Sequence, residues 1–414
     1  MRTRVMTSIG AIAILTISGT LAGCGASGGG SSASKETTVT WWEPNWDTPI
    51  AKELVADFQK KNPSIKVKMV ETTSATLANK VNVTLSSGTT PDVITELASR
   101  TQLYIAKDQL TDLNALFDST MPKDDFLPGT LADVSKGDTT YAVPFRWDNV
   151  ALIYNKDLFT AAGIATPPTT VDEFKADAMK LTKGAVSGTG WTLGNIDNTV
   201  LRFFSLAAST SNNPATNVKG VALLTESSTA EALDVIAGSI KDGWATKSSL
   251  EVDTTGLRQL FINKQVAMYI GGVYDLIELK NKGMNVGTAV WPGFGKPVNS
   301  AANGWVYLVP KASKNPDAAK KFVQYLTEPD VMARLTLTFP ARASAAKADK
   351  FHTELVTPFY NQLTKYSVPA PYDPSFNKLM PTLFAQIQAV ALRQATSAEA
   401  AKVIQTASVA AQNG

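Results

Sequence analysis

Between residues 38 and 94 the apolar positions switch between two spacings, and the switch predicts alternating strands and helices. Val39–Trp42 is a β-branched and aromatic run that breaks at Pro44. Pro49 follows Asp47 and Thr48, both suited to cap a helix, and Ile50, Leu54, Val55 and Phe58 recur at helical spacing before Asn62-Pro63 stops the pattern. Ile65, Val67 and Met69 alternate with Lys66 and Lys68, the period of a strand with one buried face. Leu77, Val81 and Leu85 mark a second helix, closed by Ser86-Ser87-Gly88, and Pro91-Asp92-Val93-Ile94 opens a third strand. This β-α-β-α-β order predicts an α/β fold with a parallel sheet and crossover helices.

The same style returns further on. Val150–Tyr154 reads as an apolar strand, and Thr170 with Glu173 as a capping box leading Phe174, Ala178 and Leu181. Ser228 with Glu231 reads as another, leading Leu233, Ile236 and Ile240. Leu257, Leu260 and Phe261 predict a short helix, and Val266–Ile270 a strand ending at Gly271-Gly272. Val306–Val309 is a further strand, Asn315-Pro316 starts a helix through Leu326, and from Phe376 an Ala-rich helix runs to near the end.

The amino terminus follows different rules. Arg2 and Arg4 precede thirteen apolar residues, Ile9–Leu21, and then Leu21-Ala22-Gly23-Cys24. This is the layout of a secretory signal. As a helix the apolar run rises only about 20 Å, short of the roughly 30 Å hydrocarbon core a membrane anchor must span. Gly25–Thr37 is rich in Gly and Ser and predicts a flexible tether. The remaining 377 residues (414 less 37) exceed one ordinary core, so two domains are expected. Net charge is +3, or +1 after Arg2 and Arg4 leave, and no basic run interleaves with aromatics, which argues against nucleic acid. The single Cys excludes an internal disulfide and Cys-based zinc sites, and the single His, His352, argues against a histidine triad or multi-histidine metal site.

Most of the eight tryptophans fall beside Pro, Gly, Asp or Asn at predicted strand ends or in loops. In open α/β sheets ligands bind outside the carboxyl ends of strands. Trp41-Trp42-Glu43-Pro44, Arg146-Trp147-Asp148-Asn149, Gly271-Gly272-Val273-Tyr274-Asp275 and Asn303-Gly304-Trp305 fit such a rim. Flat indoles and phenols suit the C–H faces of a sugar, and Asp, Glu, Arg and Asn suit its hydroxyls. Trp41 and Trp42 point to opposite faces if they lie in a strand, so one is core, and which one stays open. Trp147 and Asp148 head the ligand candidates. Trp191, in a Gly-rich turn, and Glu96, with Thr95 at the far end of its strand, are further ones, whereas Trp244 reads as packing and Asp92 as structural.

Further segments carry a family resemblance. They are Ser87-Gly88-Thr89-Thr90-Pro91-Asp92-Val93, Tyr141-Ala142-Val143-Pro144, Leu152-Ile153-Tyr154-Asn155-Lys156-Asp157-Leu158-Phe159, Ala162-Gly163-Ile164, Pro167-Pro168-Thr169-Thr170, Lys264–Gly272 and Asn315-Pro316-Asp317-Ala318-Ala319. With them the chain resembles the extracellular solute-binding proteins of bacterial ABC importers, in the large carbohydrate-binding (family 1-like) group. Leu21–Cys24 resembles a lipobox, which implies cleavage before Cys24 and acylation of its thiol. The family resemblance implies a two-lobed, type II-like periplasmic-binding-protein fold with a ligand cleft and several hinge crossings. It implies a signal peptide at 1–23, a lipidated linker at 24–37, one lobe from 38–147 plus 291–340, and another from 148–290 plus 341–414. It places sugar contacts at Asp148 with Arg146 and Trp147 beside it, at Trp42 and Glu43, at Tyr274, at Trp305, and at Arg342 in a late hinge segment. The expected protein is a monomeric, non-enzymatic receptor, lipid-anchored on the outer face of the cytoplasmic membrane, with no cofactor. It takes a sugar or oligosaccharide and passes it to permease subunits. The competing readings are a receptor for a peptide, polyamine or metal, and a glycoside hydrolase built on a carboxylate pair from Glu43, Glu96, Asp148 and Asp275.

Overall fold

The computed structural model describes residues 36–210, 224–370 and 374–413. The signal segment and Cys24 lie outside the described residues. Three parallel strands form one side of the main sheet: Thr37–Pro44 pairs with Ile65–Thr72 and with Val93–Leu97, as the first pattern of periods predicts. Next to Val93–Leu97 runs Ser300–Leu308 in the antiparallel sense, then Ala142–Asp148, then the short Phe339–Pro340, with Ser367–Pro369 also on Ser300–Leu308. A second sheet is antiparallel, with Val150–Asn155 between Met268–Gly272 and Val286–Ala289.

Two hydrophobic cores result. One packs Trp41, Phe58, Phe145, Tyr307 and Phe322 between the main sheet and its helices. The other gathers Phe174, Trp191, Phe203, Phe204, Ile236 and Leu383 among helices that cover the small sheet. The small sheet serves both. Ala151, Ile153 and Tyr269 pack in the first core, while Leu152, Met268 and Ile270 pack in the second. Period-two alternation sends neighbouring residues to opposite faces, so a sheet buried on both sides must be apolar throughout.

Several boundaries differ from the sequence pattern for identifiable reasons. The helix Glu226–Lys241 begins at Thr225, whose side chain accepts from Ser228 N; Ser228 itself is buried one turn inside. The Ala-rich carboxyl segment is two helices, Pro374–Ala391 and Ser397–Asn413, parted by Arg393 at φ 62°. Asp47 occupies the cap position of Thr48–Lys61, yet its side chain makes no capping bond. The glycine pair Gly271-Gly272 ends the strand Met268–Gly272 from within, and Asn303-Gly304-Trp305 lies inside Ser300–Leu308, not at its edge. Among the described residues no helix is long and apolar enough to cross a membrane.

The capping box at Thr170 and Glu173 forms as the sequence predicts, with each side chain satisfying the other's backbone N–H. Thr170→Ala is expected to lower the unfolding free energy by about 1 kcal/mol in a urea titration, with the m-value unchanged.

Candidate functional site

A cavity of about 530 Å³ opens where the two cores meet, within the usual range for a small-molecule site. Its floor comes from the main sheet: Leu97, Asp148, Ala301, Asn303 and Trp305. Ala301, Asn303 and Trp305 are two apart in one strand and so share a face. A bulge between Trp305 and Val306 shifts the register against Ala142–Asp148 just where the indole meets the cavity. The facing wall is the helix Ile196–Ala207, which presents Asn198, Leu201, Arg202 and Ser205, preceded by its cap Asn195. Tyr274 closes a third side.

Local bonds fix these groups. Asp275 is fully buried and accepts from Arg258, from the Tyr269 hydroxyl at 3.0 Å and from Gly272 N at 3.3 Å, which pins the turn that carries Tyr274. Burial, with Asp275 adjacent, pushes the Tyr274 phenol up to about 12, so its hydroxyl keeps its proton at any physiological pH. Arg202 fastens the helix to the small sheet by donating to the carbonyl of Ile270, and also donates to Asn198. Arg100 lies 3.1 Å from Glu96 and 3.9 Å from Asp197. The cavity therefore holds one indole, one phenol, two arginines, two aspartates and several amides. That set can stack on apolar ring faces and both donate to and accept from hydroxyls. No cluster of three or more metal-ligating His, Cys, Asp or Glu side chains occurs among the described residues.

Of the residues singled out by the sequence, Asp148, Tyr274 and Trp305 share this cavity. Arg146 sits just beneath it, 3.3 Å from Asp148 and 3.6 Å from Asp47, with its guanidinium 4.8 Å from the Trp46 ring. Trp147 lies on the opposite face of the same strand, 3% exposed, lining a separate depression of about 370 Å³ with Ala302, Leu363 and Val368. In strand Thr37–Pro44, Trp41 and Glu43 point inward and are fully buried. Trp41 donates to Thr95 Oγ, and Thr95 donates to Glu43. Trp42 points outward beneath Lys80, so Trp41 is the core residue of the pair. Burial raises the Glu43 carboxyl well above its ordinary value, against the Thr95 hydrogen bond. Glu96 is buried and holds Arg100 and the Tyr104 hydroxyl. Trp191 lies in the second core, donating to Ser239. Arg342 is spent on Asp125 and on the carbonyls of Thr327 and Thr120, away from the cavity.

Sequence reasoning missed the wall helix, although its signal is present: Asn195 as cap, then Val200, Phe203, Phe204 and Ala207 on one face and Asn198, Arg202 and Ser205 on the other. It also missed Trp46, whose ring meets that of Trp305 edge-on at 4.4 Å.

With this geometry in hand, comparison with known proteins places it. The model of the bacterial extracellular solute-binding protein family matches residues 45–333. The galactooligosaccharide-binding protein of Bacillus subtilis is 25% identical over 407 residues, 93% of this chain and 92% of that one. The maltooligosaccharide ABC transporter solute-binding lipoprotein of Streptococcus pneumoniae is 24% identical over 86% of each chain. Among solved structures, the GacH receptor of Streptomyces glaucescens, studied unliganded and with acarbose, superposes with a TM-score of 0.78 at 24% identity, covering 90% of this chain and 97% of that one. Maltose-bound MalE3 of T. maritima gives 0.79 at 22% identity, covering 89% and 98%. These likenesses show the two-lobed α/β fold.

Gly304 is where the floor is tightest: a Cβ there would come 2.0 Å from the Trp147 ring and 2.3 Å from the Arg146 carbonyl. Gly304→Ala is expected to cost about 2 kcal/mol or more of stability, read by urea unfolding, because neither a buried indole nor a paired backbone can yield.

Proposed function

This chain belongs to the bacterial extracellular solute-binding proteins, and from that premise we propose that it captures a sugar or oligosaccharide in the cavity and delivers it to an ABC permease. The observation that carries the reading is the make-up of the cavity. Trp305 and Tyr274 offer ring-stacking faces, while Asp148, Asn303, Asn198 and Arg202 offer hydroxyl partners from opposing walls. The charges on those walls are of both signs, which suits a neutral, hydroxyl-rich ligand better than a cation or a peptide with two charged ends. The carbohydrate ligands in the names of the relatives point the same way.

Mechanistically, a ligand that touches both walls stabilises the arrangement in which the walls are close, because only that arrangement makes both sets of contacts. Hinge closure of this kind is characteristic of periplasmic binding proteins as a class. The lobes proposed to move are 38–147 with 291–340 and 148–290 with 341–414. Asp148, Tyr274 and Trp305 act as direct ligand contacts and Arg146 as a support. Cleavage before Cys24 and acylation of its thiol would hold a monomeric receptor at the outer face of the membrane, near its permease.

Maltose, maltotriose and galacto-oligosaccharides are expected to raise the melting temperature, while dipeptides, spermidine and divalent cations leave it unchanged. Stabilisation only by the latter group would overturn the sugar reading. Trp305→Ala should weaken the best-binding sugar about 30-fold, roughly 2 kcal/mol, by calorimetry. For the anchor, Cys24→Ser is expected to shift the protein from the membrane fraction to the medium; unchanged membrane retention would refute acylation at this residue.

A further inference from the structure

Asp47 stands at a helix amino terminus, where an aspartate ordinarily accepts from the first turn. Here it does not. The residue is 1% exposed, and neither carboxylate oxygen accepts a hydrogen bond among the described residues. Its close compensation is one guanidinium. Arg146 approaches Asp47 Oδ2 at 3.6 Å through one terminal nitrogen and Asp148 Oδ2 at 3.3 Å through the other, while its Nε donates to nothing among the described residues. Both contacts exceed the roughly 2.7–2.9 Å of a well-made charge-assisted bond. A buried cation shared between two carboxylates holds neither fully, because each ionic contact in a low-dielectric site must be close to offset its desolvation. One of the two lines the cavity and the other lies below it.

We infer that Asp47 is a positioning residue for ligand capture: by competing with Asp148 for Arg146, it sets how firmly the Asp148 carboxylate is held in the cavity floor. The inference rests on the sugar-binding reading for the identity of the ligand, but the competition itself does not.

The charged and titratable groups around Asp47 come from four elements. They are Glu43 on Thr37–Pro44, Arg146 and Asp148 on Ala142–Asp148, Tyr307 on Ser300–Leu308, and Lys350 on the turn Asp349–Phe351. Burial raises the Asp47 carboxyl above its ordinary value, against the pull of Arg146, and the Asp148 charge adds to the rise. Lys350 opposes it, though burial draws the Lys350 ammonium down and its Nζ donates to the Thr336 carbonyl. When pH falls through the raised Asp47 value, Asp47 takes a proton and releases its share of Arg146 to Asp148. When pH rises, ionised Asp47 reclaims that share and Asp148 loosens. A ligand that needs a fixed Asp148 acceptor therefore binds more tightly on the acid side, and its binding in turn favours the protonated Asp47.

The proton is the first probe. In ligand-free protein labelled with 13C at aspartate carboxyls, the Asp148 resonance is expected to carry an inflection at the pH where Asp47 titrates. Asp47→Asn should abolish that inflection; the amide does not titrate and has nearly the same size and shape as the carboxylate, so the fold should tolerate it. An Asp148 resonance that titrates identically in both proteins overturns the inference. The second probe is maltotriose, followed by calorimetry from about pH 4, the ordinary aspartate range from which Asp47 is raised, to about pH 7.5. The wild-type association constant should fall about 5-fold over that range. The Asp47→Asn constant should stay flat and, at neutral pH, equal or exceed that of the wild type. Weaker binding by Asp47→Asn at every pH would mark a merely structural residue and overturn the proposal. If neither protein binds maltotriose or any other sugar at any pH, the sugar reading fails, while the carboxyl titration still decides the competition for Arg146.

Discussion

The antiparallel pairing of Ala142–Asp148 with Ser300–Leu308 is the constraint from which the site follows. It sets Asn303 opposite Asp148 and Gly304 opposite Trp147. Because successive side chains alternate, one face of this ribbon carries Asp148, Asn303 and Trp305 to the cavity, and the other carries Trp147 and Ala302 to the back. Gly304 permits the pairing, since the Trp147 ring lies where any larger residue would place its Cβ. Each strand also passes close to the boundary between the cores: Asp148 is followed by Asn149 and the first strand of the small sheet, and the Ser300 hydroxyl accepts from Val150 N at 3.3 Å. A change in this ribbon reaches the cavity floor and the junction of the cores together.

Below the floor lies a buried polar nest that an apolar core would not require. Glu43, Asp47, Arg146 and Tyr307 each leave a buried polar atom without a hydrogen-bond partner among the described residues. Such groups are costly unless ordered water or a functional demand retains them. Their position, directly behind Asp148 and Trp305, ties that cost to the site. The aromatic column Trp305–Trp46, capped by the Arg146 guanidinium, runs through the same place and lends the cleft indole a rigid backing.

The alternation rule was enough to state that Trp41 and Trp42 diverge, and applied to Arg146-Trp147-Asp148 it separates Trp147 from Asp148 in the same way. It could not say which of Trp41 and Trp42 is core, or which of Trp147 and Asp148 meets the cavity, because that depends on which sheet face each core approaches. Glu96 and Trp191 show a related limit. Both sit in segments with the chemistry of a binding rim, but Glu96 is used up by Arg100 and Tyr104, and Trp191 by Ser239 and the second core. Composition reveals what a side chain can bond, not which neighbour reaches it first. The wall helix Ile196–Ala207 is the converse case. Its cap and its two faces were written in the local pattern, yet its polar stripe becomes a cavity wall only because the main sheet stands opposite.

By itself the sequence determined the α/β class, the parallel order of the first three strands, the Thr170 capping box, the exported amino terminus as an expectation, and the residue types of a sugar-like site. These are local matters: periodicity, caps and turn residues act over a few positions and need no partner. The tertiary structure alone decided that Asp148, Tyr274 and Trp305 converge, that Trp147, Trp191 and Arg342 do not join them, and that Asp47 abandons its helix for Arg146. Those outcomes depend on contacts across about 100 residues or more of chain, between Asp47 and Arg146 and between Asp148 and Asn303, whose free energy is set by burial and competition rather than by any neighbour in sequence.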